Sequence, residues 1–460
     1  MNFRRYISLF LIMDFVSANA QDELATAKTQ PHHQLNKGTQ LGTIQVMYTN
    51  ITGHPTATVP GTIFEFEPGT STTHFERVYG HPNGNWVIKA LNNQGSDMIM
   101  SNDQVVLIEG DNAAWTIGEL VGSIERKIGI NKFSEIAFSN TTTGGSTAND
   151  RYIVKYDGHN FFTQAREMDS MSTIPGAFWG NVLESANMLD NGGVTFSADG
   201  IIGVSDDEND ILFDVDTVLV REGIDIPLGQ LGNEAWENFD ADDYWTSNNG
   251  LNWLVQGDLF GDTNTDDVLV YNNQVVIQDG VVLANSSFLE PVDSSGLVGA
   301  YLAPGGYYYA RGNNDVTETD WIYSNGAVVT NTGEPAYESG TELWSDAEYF
   351  DCFFMNVGNS YGEYIIGGVT DSDTTSNGLL VKNNQLVVVR ESDPIDLDGN
   401  GLFDDDAFFD TFGNDDGVLF DDGQFIFVAT MKNAKGTRIG QGMFSVETDA
   451  DLIFRHNLDW

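Results

Sequence analysis

The chain has 460 residues, and 68 Asp and Glu against 20 Lys and Arg give it a formal net charge of −48. That balance excludes the basic footprint that nucleic-acid phosphates require. Hydrophobic residues at 41%, of which aromatics make up 12% of the chain, are ample for a core, so the acidity belongs to a folded protein and not to a disordered tail.

In chain order, MNFRR, the apolar run YISLFLIM and Ala18-Asn19-Ala20 read as a signal peptide over residues 1–20, too short an apolar stretch to span a bilayer. A secreted or periplasmic protein is therefore expected. Residues 21–40 are polar and without period, a flexible leader, and residues 41–460 are expected to form one domain. Within it, TIQVMYTN (43–50) and GTIFEFE (61–67) are candidate closing strands, to pair with MFSVET and LIFRH near the other end.

From Gly84 onward one pattern recurs: a short apolar strand, a polar loop, a second strand, a tight turn and a third strand. Its starts are Gly84, Ser134, Gly192, Gly250, Gly305, Gly362 and Gly423, which makes seven units. Asn-Asn-Gln, Asn-Gly, Asp-Gly and Asn-Asp steps bound the strands, as two-residue hairpins with positive φ require. Helical periodicity is nearly absent. An isolated sheet of this kind cannot bury both faces, whereas a closed ring of sheets can. The expectation is all-β: a seven-bladed β-propeller with about four strands per blade, closed by N- and C-terminal strands and monomeric.

The repeat unit, a Gly-led apolar strand followed by a strand ending in Glu109-Gly110-Asp111, Glu222-Gly223 before Asp225, or Asp279-Gly280, resembles a family of uncharacterised exported bacterial repeat proteins. Val59-Pro60-Gly61 is similar to a Pro-Gly step in that family, and the resemblance covers roughly residues 43–447. It implies export and a propeller fold. Many members end in a membrane sorting tail, which the C-terminal DADLIFRHNLDW does not match, so no membrane anchor is expected.

The strongest local motif is DLDGNGLFDDD. Asp396, Asp398, Asn400, Gly401 and Asp404 occupy positions 1, 3, 5, 6 and 9 of an EF-hand-like loop, with Leu402 at position 7, which ligates through its carbonyl. These oxygen donors predict Ca2+, in preference to a merely solvated acidic loop. Position 12 is Ala407, so Asp405 or Asp406 would have to reach back. GDLFGDTNTDD (257–267) is faintly like the calcium loops of integrin-type propellers but has no glycine at the turning position, and a plain hairpin loop is the better reading. VSDDENDILFD (204–214) is weaker still.

Two Gly-His-Pro steps place His54 and His81 near the first blade, with His74 between them, and these read as turns before they read as a metal or acid/base site. Ser360 in GNSYG matches a nucleophile pattern but precedes a strand instead of a helix, so it is a loop residue. Cys352 is expected to be buried, and most Trp and Tyr residues to lie between blades. Asn50, Asn140 and Asn285 occupy glycosylation sequons. The functional expectation is a non-enzymatic binding or scaffold module for a polysaccharide or surface protein. A carbohydrate-active hydrolase or lyase working at the channel mouth, or a structural envelope component, are the alternatives.

Overall fold

The β-branched and aromatic runs pair as antiparallel strands in a computed structural model that describes residues 42–71, 73–345 and 351–449, with the side chains of 240–242 left aside. The signal segment, the leader and LIFRH lie outside the described residues. One strand, β1 (Gln45–Thr49), precedes the first blade. Blade 1 consists of β2 (Phe75–Gly80), β3 (Trp86–Leu91), β4 (Asp97–Ser101) and β5 (Gln104–Ile108). Blade 2 has β6 (Leu120–Ile130), β7 (Ile136–Thr143), β8 (Arg151–Tyr156) and β9 (Phe161–Arg166). Blade 3 has β10 (Val182–Met188), β11 (Val194–Asp199), β12 (Ile211–Asp214) and β13 (Thr217–Arg221). Blade 4 has β14 (Trp236–Thr246), β15 (Trp253–Leu259), β16 (Asp267–Tyr271) and β17 (Gln274–Gln278). Blade 5 has β18 (Val292–Leu302), β19 (Tyr308–Asn314), β20 (Asp320–Ser324) and β21 (Ala327–Asn331). Blade 6 has β22 (Phe353–Gly358), β23 (Tyr364–Val369), β24 (Gly378–Lys382) and β25 (Leu386–Arg390). Blade 7 has β26 (Phe408–Leu419), β27 (Gln424–Lys432) and β28 (Arg438–Glu447), and β1 joins it as the fourth strand.

This is a seven-bladed β-propeller. First strands of neighbouring blades touch one another and line the centre of the ring. The repeat read from sequence begins one strand late: six of its units are the second, third and fourth strands of a blade, the seventh is β27 and β28 alone, and the innermost strand went unrecognised. Ring closure is only partly as expected. Gln45–Thr49 does pair with β28, but 61–67 forms no strand and makes only single bridges, Thr58 to Glu65 and Phe66 to Asn92. It packs instead as a wedge, with Phe66 buried against Phe75 at the joint of blades 7 and 1.

The period of two along each strand decides what faces what. In blade 1, Val87 and Ile99 pack against blade 2, while Ile88, Ala90, Met98 and Met100 pack against blade 7. The seven described core clusters correspond to the seven joints between consecutive blades. Trp179, Trp236, Trp245, Trp321 and Trp344 belong to these clusters, as expected of the aromatics, and so does buried Cys352.

The Glu-Gly step has a structural cause. The Glu that follows a fourth strand folds its carboxylate onto an amide at the entry to the third strand: Asp97, the first residue of β4, donates to Glu109 at 3.2 Å, Asp150, just before β8, to Glu167 at 3.2 Å and Asp210, just before β12, to Glu222 at 3.0 Å. The glycine then turns the chain toward the next blade with positive φ, and a Cβ on Gly223 would lie 2.1 Å from the Asp207 carbonyl. Third and fourth strands are joined by two-residue turns such as Asn102-Asp103 and Asn272-Asn273, both residues at positive φ, as the Asn-rich steps predict.

Removing residues 41–67 deletes the outer strand of blade 7 and should give an open ring that aggregates; a soluble truncation with one cooperative melting transition would contradict closure by β1. Glu167→Ala leaves the Asp150 amide without its acceptor and should cost about 1–3 kcal/mol in denaturant unfolding. An unchanged midpoint would show that the carboxylate clamp does not hold the blade.

Candidate functional site

Because every blade runs antiparallel from its inner to its outer strand, turns after first and third strands lie at one end of the ring. Loops after second strands, and the linkers between blades, have their roots at the other end. The acid-rich segments 204–210 and 260–266 are second-to-third-strand loops of blades 3 and 4, and 391–407 is the linker from blade 6 to blade 7. Segments far apart in sequence are thus brought to the same end.

In the 391–407 linker, Ile395 and Ala407 are buried in the blade 6–7 core and Pro394 bridges to Phe408, so the acidic stretch is a loop with a fixed base. Carboxylate oxygens of Asp396, Asp398 and Asp405 lie within 4.8 Å of one another. Backbone amides hold them there. Asp396 accepts from Asn400 at 3.0 Å and from Gly401 at 2.8 Å, Asp398 accepts from Asn400 at 3.0 Å, and Asp405 accepts from Leu397 at 2.7 Å. Asp405 is the acid that reaches back, and Asp404, expected in the set, is exposed and outside this trio. Asn400 stays in the loop, its Nδ2 donating to Asp398 at 2.9 Å and its Oδ1 accepting from the Leu402 amide at 2.7 Å. Leu402 is exposed at the tip. Hard oxygen donors at this spacing suit calcium.

The loop at 257–267 does not gather its acids in the same way. Asp262 closes its own turn by accepting from Asn264, Asp258 accepts from Asn238 at 2.9 Å, and Asp267 faces Gln256. This fits the plain loop expected there. A space of about 200 Å³ opens beside it, lined by Leu231, Glu234, Asp262, Asp266 and Gln278. In the loop at 204–210, Glu208 pairs with Arg221 at 2.9 Å, and Asp210 is buried. Burial, then the neighbouring Asp199, pushes the Asp210 carboxyl up to about 8.

The histidines do not assemble. His74 precedes β2 and His81 follows it, so they sit at opposite ends of that strand, and His54 caps a short 3-10 turn in the preceding linker. His81 contacts Asp190 at 3.2 Å across the ring. Ser360 lies in the tight turn between β22 and β23 and donates to Asp421 of the next blade. Of the sequons, Asn50 and Asn140 are buried, and only Asn285 is exposed.

Sequence reading missed the channel. The inner strands carry bulges that re-aim charged side chains, with Arg77 and Asp415 at positive φ. Arg311 grips Asp415 with both nitrogens at 2.5 and 2.7 Å, Arg77 lies 3.9 Å from Asp415, and the Arg77 amide donates to Asp416 at 3.0 Å. Lys89 bridges Glu76 and Asp97 at 3.2 Å each. Lys127 donates to the Tyr244 carbonyl at 2.5 Å and sits 4.1 Å over the Trp245 ring. Below these pairs a space of about 80 Å³ remains, and hydrogen bonds between turns of different blades, such as Asp190 to Asn248 at 2.7 Å, border it. Burial pushes Asp416 up to about 7, with Arg77 opposing. The sequence signal was there: charged residues interrupt otherwise apolar runs in FERV, SIERKI and FGNDDGV.

No family model and no curated protein matches the chain. Solved structures similar to it include prolyl oligopeptidase B from Galerina marginata, at 12% identity and a TM-score of 0.36, covering 78% of this chain and 46% of that one. A puromycin-hydrolysing peptidase of Mycobacterium tuberculosis is 9% identical with a TM-score of 0.37, covering 84% and 55%. A subtype N11 neuraminidase-like protein of A/flat-faced bat/Peru/033/2010 is 8% identical with a TM-score of 0.29, covering 75% and 97%. The chain spans about half the length of the two peptidases. The fold is read from the strand pairing, and these likenesses carry no argument about activity.

Asp210 and Asp416 are held more protonated in the fold than an unfolded aspartate, whose pKa is about 3.9. The folded state therefore binds more protons, and stability falls as pH rises from about 4 to about 8. In chelator, the melting midpoint should be several degrees higher at pH 5 than at pH 8, and Asp210→Asn should flatten that slope. A slope unchanged by the substitution would remove Asp210 as its source.

Proposed function

We propose that this chain is an exported, calcium-stiffened β-propeller that works by binding, holding a polysaccharide or a surface protein on the end of the ring where its linkers and second-to-third-strand loops are rooted. The observation that carries this reading is the convergence of acid-rich segments on one end of the fold, while the channel behind them is occupied by the protein's own ion pairs. Calcium at Asp396, Asp398 and Asp405 would neutralise the loop, fix its shape and offer remaining coordination positions to oxygen ligands. Polysaccharides, rich in hydroxyl and carboxylate oxygens, are the first partner class to test.

A second reading, a carbohydrate-active hydrolase or lyase, draws on Asp415 and Asp416. They are adjacent carboxylates in the channel, one gripped by Arg311 and the other pushed up to about 7 by burial. Both carboxylates are already engaged, Asp415 by Arg311 and Asp416 by the Arg77 amide, which favours binding.

Size-exclusion chromatography of the protein with a panel of polysaccharides, with and without calcium, separates the readings. Co-elution with intact polymer in calcium, lost in Asp398→Ala, is the expected result. Shortened polymer would replace it with the hydrolase reading. Absence of co-elution across the panel would leave surface proteins as the partner class, and co-elution unaffected by Asp398→Ala would detach calcium from binding.

A further inference from the structure

A second cation site follows from a departure in the blade pattern. Where blades 1, 2 and 3 have a glutamate that reaches an amide at the entry to the third strand, blade 4 has Asp279, one methylene shorter. Its side chain is fully buried, at 0% exposure, and neither carboxylate oxygen has a hydrogen-bond partner. The charged groups acting on it are the carboxylates of Asp293, Asp266 and Asp258. Asp293 comes from β18 of the next blade, so this is the joint of blades 4 and 5. On the same joint Gln256, whose Nε2 donates to the Leu297 carbonyl at 3.2 Å, has a buried Oε1 with no donor. Unpaired acceptors on both residues call for a positive group.

Among the described residues, the charged groups that act on Asp279 include no cation. Between Arg221 and Arg311 there are fourteen Asp and Glu and not one Lys, Arg or His. The two arginines that flank the stretch are committed elsewhere, Arg221 to Glu208 at 2.9 Å and Arg311 to Asp415. Other blades solve the same crowding with their own cations, Lys89 between Glu76 and Asp97 in blade 1 and Lys432 on Glu391 at blade 6. An ionised carboxylate buried with no donor and no counter-charge costs several kcal/mol in order of magnitude; burial and then the neighbouring carboxylates push Asp279 up to about 7, so protonation offsets part of that cost and a bound hard cation would remove it above that pH.

We propose that the joint between blades 4 and 5 takes a divalent hard cation, calcium in the first instance, with Asp279 as its buried ligand and Asp258, Asp266 and Asp293 supplying the surrounding negative charge. The ion stands where lysine stands in blade 1 and ties blade 4 to blade 5. It is separate from the Asp396 loop, so the failure of either site leaves the other untouched.

The test uses the full chain carrying Asp398→Ala, which disables the loop site, with calcium chloride alone as probe. Millimolar calcium should still raise the melting midpoint above that in chelator. Adding Asp279→Asn should abolish that rise and raise the metal-free midpoint, since an amide carries no charge to repel its neighbours. Asp293→Asn, which leaves Asp279 in place, should weaken calcium binding by about tenfold or more in calorimetry and keeps the test intact if the Asp279 variant does not fold. No calcium response in Asp398→Ala, or the same response with and without the Asp279 or Asp293 carboxylate, would overturn the site.

Discussion

A twisted four-stranded sheet with apolar residues on both faces has no stable existence alone, and everything else in this protein follows from that constraint. Each fully buried Val, Leu, Ile or Phe contributes about 1.5–3 kcal/mol, and every joint between blades buries several of them. Exposed ion pairs contribute about 0–1 kcal/mol each. The apolar joints therefore hold the ring, and the charged groups decide only how its ends and centre behave. A chain of this acidity folds because its carboxylates are concentrated at strand ends, in loops and on the bulged inner strands.

Scarcity of cations then shapes the rest. The channel cluster gathers Arg77, Arg311 and Lys89, and the turns border the space beneath it with backbone and amide groups. Where a cation is missing, three devices stand in. One is the carboxylate folded onto a backbone amide, as at Glu167. Another is the carboxylate held protonated by burial, as at Asp210 and Asp416. The third is the outside ion proposed for Asp279 and for the Asp396 loop. The second of these devices responds to pH and the third to calcium.

The candidate loop was half legible. Asp396, Asp398 and Asn400 follow a linear spacing, so sequence found them. Choosing between Asp404, Asp405 and Asp406 depends on how the returning chain is anchored, and it is Ala407 and Ile395 in the blade 6–7 core that set this. The histidines, read first as turns, show how little nearness in sequence settles, since a six-residue strand carries His74 and His81 to opposite ends.

By itself the sequence determined the number of blades, the outer three strands of each, the turn types and the burial of the aromatics, because these rest on local alternation and on residues that tolerate positive φ. It also contained, unread, the reason for its Glu-Gly step. Tertiary structure alone decided which strands line the channel, since those strands are bulged and their periodicity is broken by charge. It alone decided that 61–67 packs as a wedge instead of pairing as a strand, that distant acidic loops share one end, and that Asp279 lies buried without a partner. Each of these depends on contacts between residues tens to hundreds of positions apart, and no window along the chain records them.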